Sequence, residues 1–230
     1  KRSYDYVEHR MSNYQTVVTA VISNREYIDG LDVVVQTPNW QEAEQAYLQM
    51  SAQQSYTEMA QLMERLSELI SYQRNRLEYR KRTEIVRDVV ARLETEGQFP
   101  NAHYAFDNGV LTLELTRLIE SNGKHWVSEI ESSRHILWDN QWQRVDAVEV
   151  HLRSQHPQSF RAVTIACRNG QSKTMWAFTK VIRLKRYGRK RLVIVHEQSD
   201  LGDAPRFLLT DAQHWESTRV IETWNYRAPL

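Results

Sequence analysis

The stretch FDNGVLTLELTRLIESNGKHWVSEIESSRHILW, residues 106–138, decides the fold. It opens at the end of a short apolar strand, passes through Asp107 and an Asn-Gly turn, and continues as an amphipathic helix over 110–121. A second Asn-Gly pair ends that helix. The runs 125–130 and 134–138 then predict strands, because aromatic and β-branched residues are frequent in them. A strand, a helix and further strands in this order are typical of an α/β domain.

Toward the carboxyl end, further apolar runs predict four more strands, over 160–168, 173–184, 190–196 and 207–209. An Asn-Gly pair between the first two of these runs predicts a tight hairpin turn. Thr210, with Gln213 three residues later, predicts a capping box. A final helix is expected to follow it, from Trp215 to about Tyr226.

Toward the amino end, the β-branched runs 14–23 and 27–36 predict a hairpin. The period then changes, because apolar residues recur every three or four positions over 40–72 and again over 83–96. Both stretches therefore predict helices. We expect one α/β domain in which a helical segment is inserted between the first hairpin and the strand that ends at Asp107.

The composition excludes several classes of protein. The chain has 230 residues with seven glycines and five prolines, which excludes collagen-like and Pro/Gly-rich disordered chains. Its single cysteine, Cys167, excludes an intramolecular disulfide framework and fits a reducing cytosol. No run approaches the ~20 apolar residues that cross a bilayer, and no signal peptide opens the sequence. We therefore expect a cytoplasmic protein that does not bind a membrane.

The formal net charge of +1 hides an uneven distribution of charge. The window 161–191 holds ten of the 30 basic residues and no acidic residue, whereas the rest of the chain is acidic. A block of one sign is an electrostatic footprint for phosphate, so we expect nucleic acid to bind there. The alternative is a solvated strand pair whose cations protect a sheet edge from aggregation. The cations expected to contact phosphate are Lys180, Arg183, Lys185, Arg186, Arg189, Lys190 and Arg191.

Asp107 is the candidate site residue because of its position at a strand end. In an open α/β sheet the functional site lies beyond the carboxyl ends of the strands, and a carboxylate there can hold a divalent metal. The alternative is an aspartate that only closes the turn before the helix. Asp32, in the second strand of the first hairpin, could face the same crevice.

Other chemistries have less support. The sequence contains no HExxH or HxH pair, so we expect histidines such as His125 and His196 to be hydrogen-bonded scaffold residues. It contains no GxGxxG and no GxxxxGK[ST] phosphate loop, which argues against a nucleotide cofactor.

These residues carry a resemblance to a known family. Residues 106–138 resemble the second-aspartate segment of bacterial insertion-sequence transposases of the DDE class, in which a strand-end aspartate precedes a helix that ends in Asn-Gly-Lys or similar. Residues 206–230 resemble the approach to the third acid of that family. The signature there is Tyr, two residues, Arg, three residues and Glu on a helix. Arg227 matches the arginine, and Trp224 stands at the tyrosine position.

The resemblance implies a ribonuclease-H-like mixed sheet with flanking helices, in which the hairpin at 14–36 corresponds to the second and third strands. The first aspartate of the family would then precede Lys1, and the glutamate would follow Leu230. We therefore expect 1–230 to be a single incomplete catalytic domain. Its expected parts are a core hairpin (1–38), a helical segment (40–97) and the rest of the core (102–230), with basic strands over 160–196.

The resemblance also implies a function. Three carboxylates would bind two Mg²⁺ ions for strand cleavage and strand transfer at insertion-sequence ends, with Asp107 as a shared ligand. Arg227 would hold phosphate or orient the glutamate. The partner would be double-stranded DNA, and the complete protein would act as a homodimer in the cytoplasm, associated with the nucleoid. The indoles of Trp126, Trp138 and Trp142 would either stack on end bases or pack in the core.

Two alternatives of other classes stay open. A non-catalytic DNA-binding remnant would share the fold and lack the acids, and a helical self-association module would use the segment 40–72. Because one acid of three cannot hold two metal ions, we expect no strand cleavage by this sequence alone with Mg²⁺ or Mn²⁺.

Overall fold

The computed structural model of the chain describes residues 2–5, 10–13, 16–37, 39–52, 63, 66–67, 69–71, 79–167 and 170–227. The fold is mixed α/β, which confirms the class that the order of elements predicted. The chain divides into two compact units, Lys1–Thr19 with Val33–Ile85, and Ala20–Asp32 with Val86–Leu230. The candidate site residues Asp107 and Arg227 belong to the second unit. So do the seven cations expected to contact phosphate, which we call the basic block.

The strands are β1 (Arg2–Asp5), β2 (Arg10–Asn13), β3 (Val17–Ser23), β4 (Ile28–Val35), β5 (Tyr104–Phe106), β6 (Trp126–Glu129), β7 (His135–Trp138), β8 (Gln141–Arg144), β9 (Arg161–Ala166), β10 (Ser172–Leu184), β11 (Gly188–His196) and β12 (Arg206–Thr210). The α-helices are α1 (Trp40–Ala52), α2 (Arg82–Glu96), α3 (Leu113–Ser121), α4 (Val145–Gln155) and α5 (Ser217–Tyr226). Short 3₁₀ turns cover Asn108–Val110 and Pro157–Ser159.

The main sheet has eight strands in the order β5-β6-β12-β11-β10-β7-β8, with β9 paired to β10. Only β5 and β6 are parallel to each other, and the other pairs are antiparallel. Strand β10 has 13 residues. Its first part, 172–177, pairs with β9, and its end, Arg183 and Leu184, pairs with β7. One long strand therefore joins the two halves of the sheet.

Apolar side chains of this sheet alternate between two cores. On one face Leu192 and Ile194 pack with Leu115 of α3 and Val148 of α4, all of them buried. On the other face Val193 and its neighbours pack with the buried residues Val220, Ile221 and Trp224 of α5. Alternation along a strand sends successive side chains to opposite faces, which explains why β11 is buried almost throughout.

The unit β5–α3–β6 positions Asp107. Helix α3 begins after Thr112, whose hydroxyl accepts a hydrogen bond from the backbone N–H of Leu115 at 3.2 Å. It ends where Gly123 takes a φ of 71°, a left-handed conformation that glycine adopts without a side-chain clash. The chain then returns as β6, parallel to β5. Asp107 therefore follows the carboxyl end of β5, as the sequence predicted.

The first hairpin forms a two-stranded sheet of its own, β3 with β4. Its turn is held by Asn24, whose side-chain oxygen accepts from the backbone N–H groups of Glu26 at 2.7 Å and Tyr27 at 3.0 Å. The sequence predicted this hairpin as part of the core sheet. Among the described residues no strand pairing joins it to the eight-stranded sheet.

The inserted segment is helical where the structure describes it. Helix α1 covers the first part of the predicted helix 40–72, and helical backbone recurs at Met63, Leu66, Ser67 and Leu69–Ser71. The remaining residues of 53–72 lie outside the described residues, so the proposed self-association face is described only in part. Helix α2 confirms the predicted helix over 83–96.

One predicted cap is wrong. Thr210 stays in β12, and its hydroxyl accepts from the backbone N–H of Ala212 at 3.1 Å, while Gln213 donates to the carbonyl of Arg189 at 3.2 Å. The final helix begins at Ser217 after Glu216, whose side chain makes no cap hydrogen bond. The physical reason is a turn that buries Trp215 between strand and helix, so the capping pair never meets.

No helix within the described ranges is long and apolar enough to cross a membrane.

Candidate functional site

Asp107 presents its carboxylate to solvent. Its backbone is extended and leads into the 3₁₀ turn, whose first hydrogen bond runs from the N–H of Val110 to the carbonyl of Asp107 at 3.2 Å. The side chain makes no cap hydrogen bond with that turn, and 64% of its surface is exposed. The backbone alone therefore closes the turn, and the carboxylate is available for another role.

Arg227 meets Asp107 across 120 residues of sequence. The Arg227 guanidinium donates to a carboxylate oxygen of Asp107 in an ion pair. Its central carbon lies 3.8 Å from the ring centroid of Trp224, an indole that is buried against the sheet. Trp224 thus supplies a fixed ring on which the guanidinium stacks while it points to the strand end.

Helix α5 is held in place along its length. Its Glu222 carboxylate accepts from the backbone N–H of Ala166 at 2.9 Å, which ties the helix to the end of β9. Arg25 donates to the same carboxylate at 3.1 Å, and the Ser23 hydroxyl donates to the carbonyl of Tyr226 at 2.6 Å. These contacts fix the last turn of the helix, and through it they fix the position of Arg227.

The described residues supply one carboxylate at this strand end. The other candidate, Asp32, forms an ion pair with Arg92 of helix α2. Within the part of the chain that the structure describes, no group of three His, Cys, Asp or Glu residues is placed to hold a metal ion. A single exposed carboxylate that already binds a guanidinium does not fit a centre for two Mg²⁺ ions.

The seven cations of the basic block do not form one surface. Lys180 and Lys190 lie on the face that α3 and α4 cover. The Lys180 ammonium lies 3.9 Å from the ring centroid of Trp138. Lys190 is buried, with its ammonium 2.9 Å from the carboxylate of Glu120. Lys190 is therefore a structural cation, and its expected contact with phosphate would require the loss of its ion pair with Glu120.

Arg191 lies on the opposite face, where its guanidinium donates to the carbonyl of Gln213 at 2.8 Å and to the hydroxyl of Thr179 at 2.9 Å. Four cations remain exposed, and their side chains make no hydrogen bond or ion pair with the described residues: Arg183, Lys185, Arg186 and Arg189. Lys185 and Arg186 form the β10–β11 turn, in which Arg186 has a φ of 74°. This turn is anchored by Tyr187, whose hydroxyl donates to the carbonyl of Leu111 at 3.3 Å.

The three tryptophans considered for base stacking also differ in burial. Trp126 and Trp138 are buried in the core, which confirms a packing role for both. The Trp126 indole N–H also donates to Glu120 at 2.9 Å, the carboxylate that binds Lys190. Trp142, in β8, is 48% exposed.

Sequence reasoning missed a cluster of histidines around Asp211. Nδ1 of His125 lies 2.7 Å from one carboxylate oxygen of Asp211, and the backbone N–H of Trp126 donates to the other at 2.9 Å. The backbone N–H of His125 donates to Nδ1 of His103 at 3.2 Å. Burial and the neighbouring His125 lower the pKa of His103. These residues are far apart in sequence and form no motif, so no local pattern could have identified the cluster.

A second histidine network is centred on the buried His196. His196, at the end of β11, lies with Nε2 3.2 Å from the carboxylate of Glu149 in α4 and with Nδ1 3.1 Å from that of Asp203. Asp203 also accepts from the backbone N–H of Glu197 at 2.8 Å. This network ties α4 to the loop after β11, so His196 is a scaffold residue, as the sequence predicted.

No family model matches the sequence, and no curated protein matches it either.

Proposed function

We propose that the chain is part of the catalytic domain of a DDE-class transposase and acts in DNA strand cleavage and strand transfer. The observation that carries the proposal is the ion pair between Asp107 and Arg227. The resemblance assigns these two residues to one site, although 120 residues separate them. Their contact at a strand end is the arrangement that the resemblance implies.

The position of the pair supports a role in phosphodiester chemistry. Asp107 follows the carboxyl end of a parallel strand, where ligands bind in open α/β sheets. A guanidinium held over an indole ring is pre-organised for hydrogen bonds to phosphate. We propose that Arg227 exchanges the carboxylate of Asp107 for a phosphate oxygen when DNA binds.

Double-stranded DNA is the proposed partner, and the exposed cations of the basic block are its proposed contacts. Arg183, Lys185, Arg186 and Arg189 offer charge that no described carboxylate neutralises. Such cations bind duplex DNA mainly through the release of counterions, without reading its sequence. By resemblance we also propose that two copies act together on paired ends and that the protein associates with the nucleoid.

Mg²⁺ belongs to the proposal through the resemblance alone. Asp107 is the one described residue proposed as a ligand. When bound, the metal ions would supply charge stabilisation at the reacting phosphate.

The test is a pair of matched substitutions in the complete encoded protein. The substrate is a plasmid that carries the genomic DNA on both sides of the coding sequence, and cleavage is measured with Mg²⁺ and with Mn²⁺. We expect Asp107→Asn to abolish cleavage and to retain DNA binding, because it removes the charge and keeps the shape. The control is Asp139→Asn, an exposed turn position with a φ of 46° that asparagine accepts. Substantial cleavage by Asp107→Asn would refute the assignment.

A non-catalytic DNA-binding protein is the second candidate. The observation that favours it is the single carboxylate, already neutralised by Arg227, at the strand end. In the same experiment this candidate predicts DNA binding without cleavage in the wild-type protein as well as in the variants.

A further inference from the structure

Strand register places four side chains in one row across the sheet. Trp142 in β8 pairs with Leu137 in β7, Leu137 pairs with Arg183 in β10, and Arg183 pairs with Arg189 in β11. Residues that oppose each other on neighbouring strands point to the same face, so all four project to one side of the sheet. With strands about 4.8 Å apart, the row is about 14 Å long. We call Trp142, Leu137, Arg183 and Arg189 the cross-strand row.

This side of the sheet is open over the row. Trp142, Arg183 and Arg189 are exposed and Leu137 is half-buried, whereas Ile136, Trp138, Ile182 and Leu184 on the opposite face of the same strands are buried. Helix α5 packs on the same side as the row, but its buried residues meet Val193, Val195 and Leu208. Helix α5 therefore covers another part of this face and leaves the cross-strand row exposed.

The two arginines of the row carry charges of the same sign. Arg183 and Arg189 face each other across the β10–β11 pair and make no ion pair within the described ranges. Two like charges directly opposite destabilise a sheet, so their juxtaposition favours a bound anion. The nearby Arg144 is already neutralised, since its Nε lies 3.0 Å from the carboxylate of Asp146.

The geometry points to the cross-strand row as a binding site for single-stranded DNA. A base stacks on the Trp142 indole, and the phosphates that follow it lie against Arg183 and Arg189. This inference rests on the proposed function, because it takes DNA as the partner. It goes further because it assigns single-stranded DNA, rather than duplex DNA, to this face of the sheet.

An exposed aromatic ring beside a basic strip favours a single strand for a physical reason. Every base has a π-face that can stack on an indole, but in a duplex those faces are already stacked on one another. The duplex therefore offers phosphates to Arg183 and Arg189 and nothing to Trp142. At about 3.4 Å for each stacked base, the row can hold a segment of a few nucleotides.

The test measures the affinity of the chain for a labelled 12-residue oligodeoxythymidine and for a duplex of the same length by fluorescence anisotropy. We expect Trp142→Ala to weaken oligodeoxythymidine binding about ten-fold and to leave duplex binding unchanged. Trp142→Phe keeps an aromatic face and should lose much less. Arg183→Ala and Arg189→Ala should weaken both ligands, and each should lower the salt slope for the oligonucleotide by about 0.7.

Arg117→Ala is the matched control, because Arg117 is an exposed arginine on α3, which packs on the other face of the sheet. It should change neither affinity. Each variant must unfold at the wild-type temperature for its affinity to be compared.

Three outcomes would overturn the inference. The first is wild-type oligonucleotide affinity in Trp142→Ala. The second is displacement of the oligonucleotide by polyglutamate of equal charge, which would mean that charge alone is recognised. In both cases duplex binding through the basic block, and with it the proposed function, can still stand. The third is the absence of binding to either DNA, which would remove the proposed DNA partner as well.

Discussion

Two groups hold Arg227, and they hold it with different strength. The stack on the buried Trp224 indole is a cation–π contact, which contributes about 0.5–2 kcal/mol depending on exposure. The ion pair with the exposed Asp107 carboxylate contributes less than about 1 kcal/mol. Asp107 can therefore release Arg227 at small cost while the indole keeps the guanidinium in position. This difference is what an exchange between carboxylate and phosphate requires.

His103 predicts a pH dependence of stability. Its pKa is lowered from 6.5, first by burial and then by His125. The charged and titratable groups around it are His125, Lys124, Asp211 and Arg219. Well above pH 6.5 the imidazole is neutral in both the folded and the unfolded state, so the lowered pKa has no effect on stability. As the pH falls below 6.5 the unfolded chain binds the proton first, so the free energy of unfolding falls.

The measurement is urea unfolding at pH 7.5 and at pH 5.5. The wild-type protein should lose more stability between these two values than His103→Asn, whose side-chain oxygen can accept the same backbone hydrogen bond from His125. An equal loss in wild type and His103→Asn would contradict the role of burial.

At the scale of the element, the cap of helix α3 matters for the site because Asp107 lies just before this helix. The Thr112 hydroxyl accepts from the N–H of Leu115, one of the four N–H groups that lack a partner at a helix start. Thr112→Ala should reduce the free energy of unfolding by about 1 kcal/mol. Chemical denaturation measures this loss, and Thr112→Ser, which keeps the hydroxyl, should retain most of the stability. If the serine variant were as unstable as the alanine variant, the cap would not be the cause.

The hydrophobic periodicity of the sequence was enough to predict most of the helices and strands. Helix α2 begins one residue from its predicted start, and the strands β6, β7, β10 and β11 lie within a few residues of the predicted runs. Local signals such as Asn122-Gly123 also end α3 where they were expected to. These predictions succeed because propensity and hydrophobic period act over a few neighbouring residues.

What local patterns could not predict is the face on which each cation lies. Lys180 and Arg183 are three residues apart in one strand and therefore point to opposite sides of the sheet. Lys190 and Arg191 separate in the same way. The assignment of faces depends on which helices cover which side, and that is a property of long-range packing. For the same reason, no local pattern could predict the contact between His125 and Asp211.

At the scale of the whole molecule, the cations of the basic block lie on two faces of the sheet. Substitutions on the two faces should therefore affect the binding of duplex DNA differently. Arg183→Gln combined with Arg189→Gln should lower the slope of log affinity against log salt by about 2, since each phosphate contact contributes about 0.9. Lys190→Gln should leave that slope unchanged. It should instead lower the free energy of unfolding, because the buried Lys190 ammonium loses its ion pair with Glu120 and its contact with the Trp126 ring.

Titrations of duplex DNA at several salt concentrations measure the slopes, and chemical denaturation measures the stabilities. A fall in the slope for Lys190→Gln equal to that for one arginine would mean that Lys190 reaches the DNA after all. A slope near zero in the wild-type protein would count against the basic strands as a DNA surface.

The order of strands in the sheet also has a consequence for synthesis of the chain. Strand β6 lies between β5, which precedes it closely, and β12, which follows about 80 residues later. A ribosome adding 5–20 residues each second needs about 4–16 s to supply that second neighbour. During this time the edge of β6 (WVSE) that later pairs with β12 has N–H and C=O groups without hydrogen-bond partners, and these groups can pair with another nascent chain. Protection of this strand on the ribosome is therefore expected to decide the yield of folded protein.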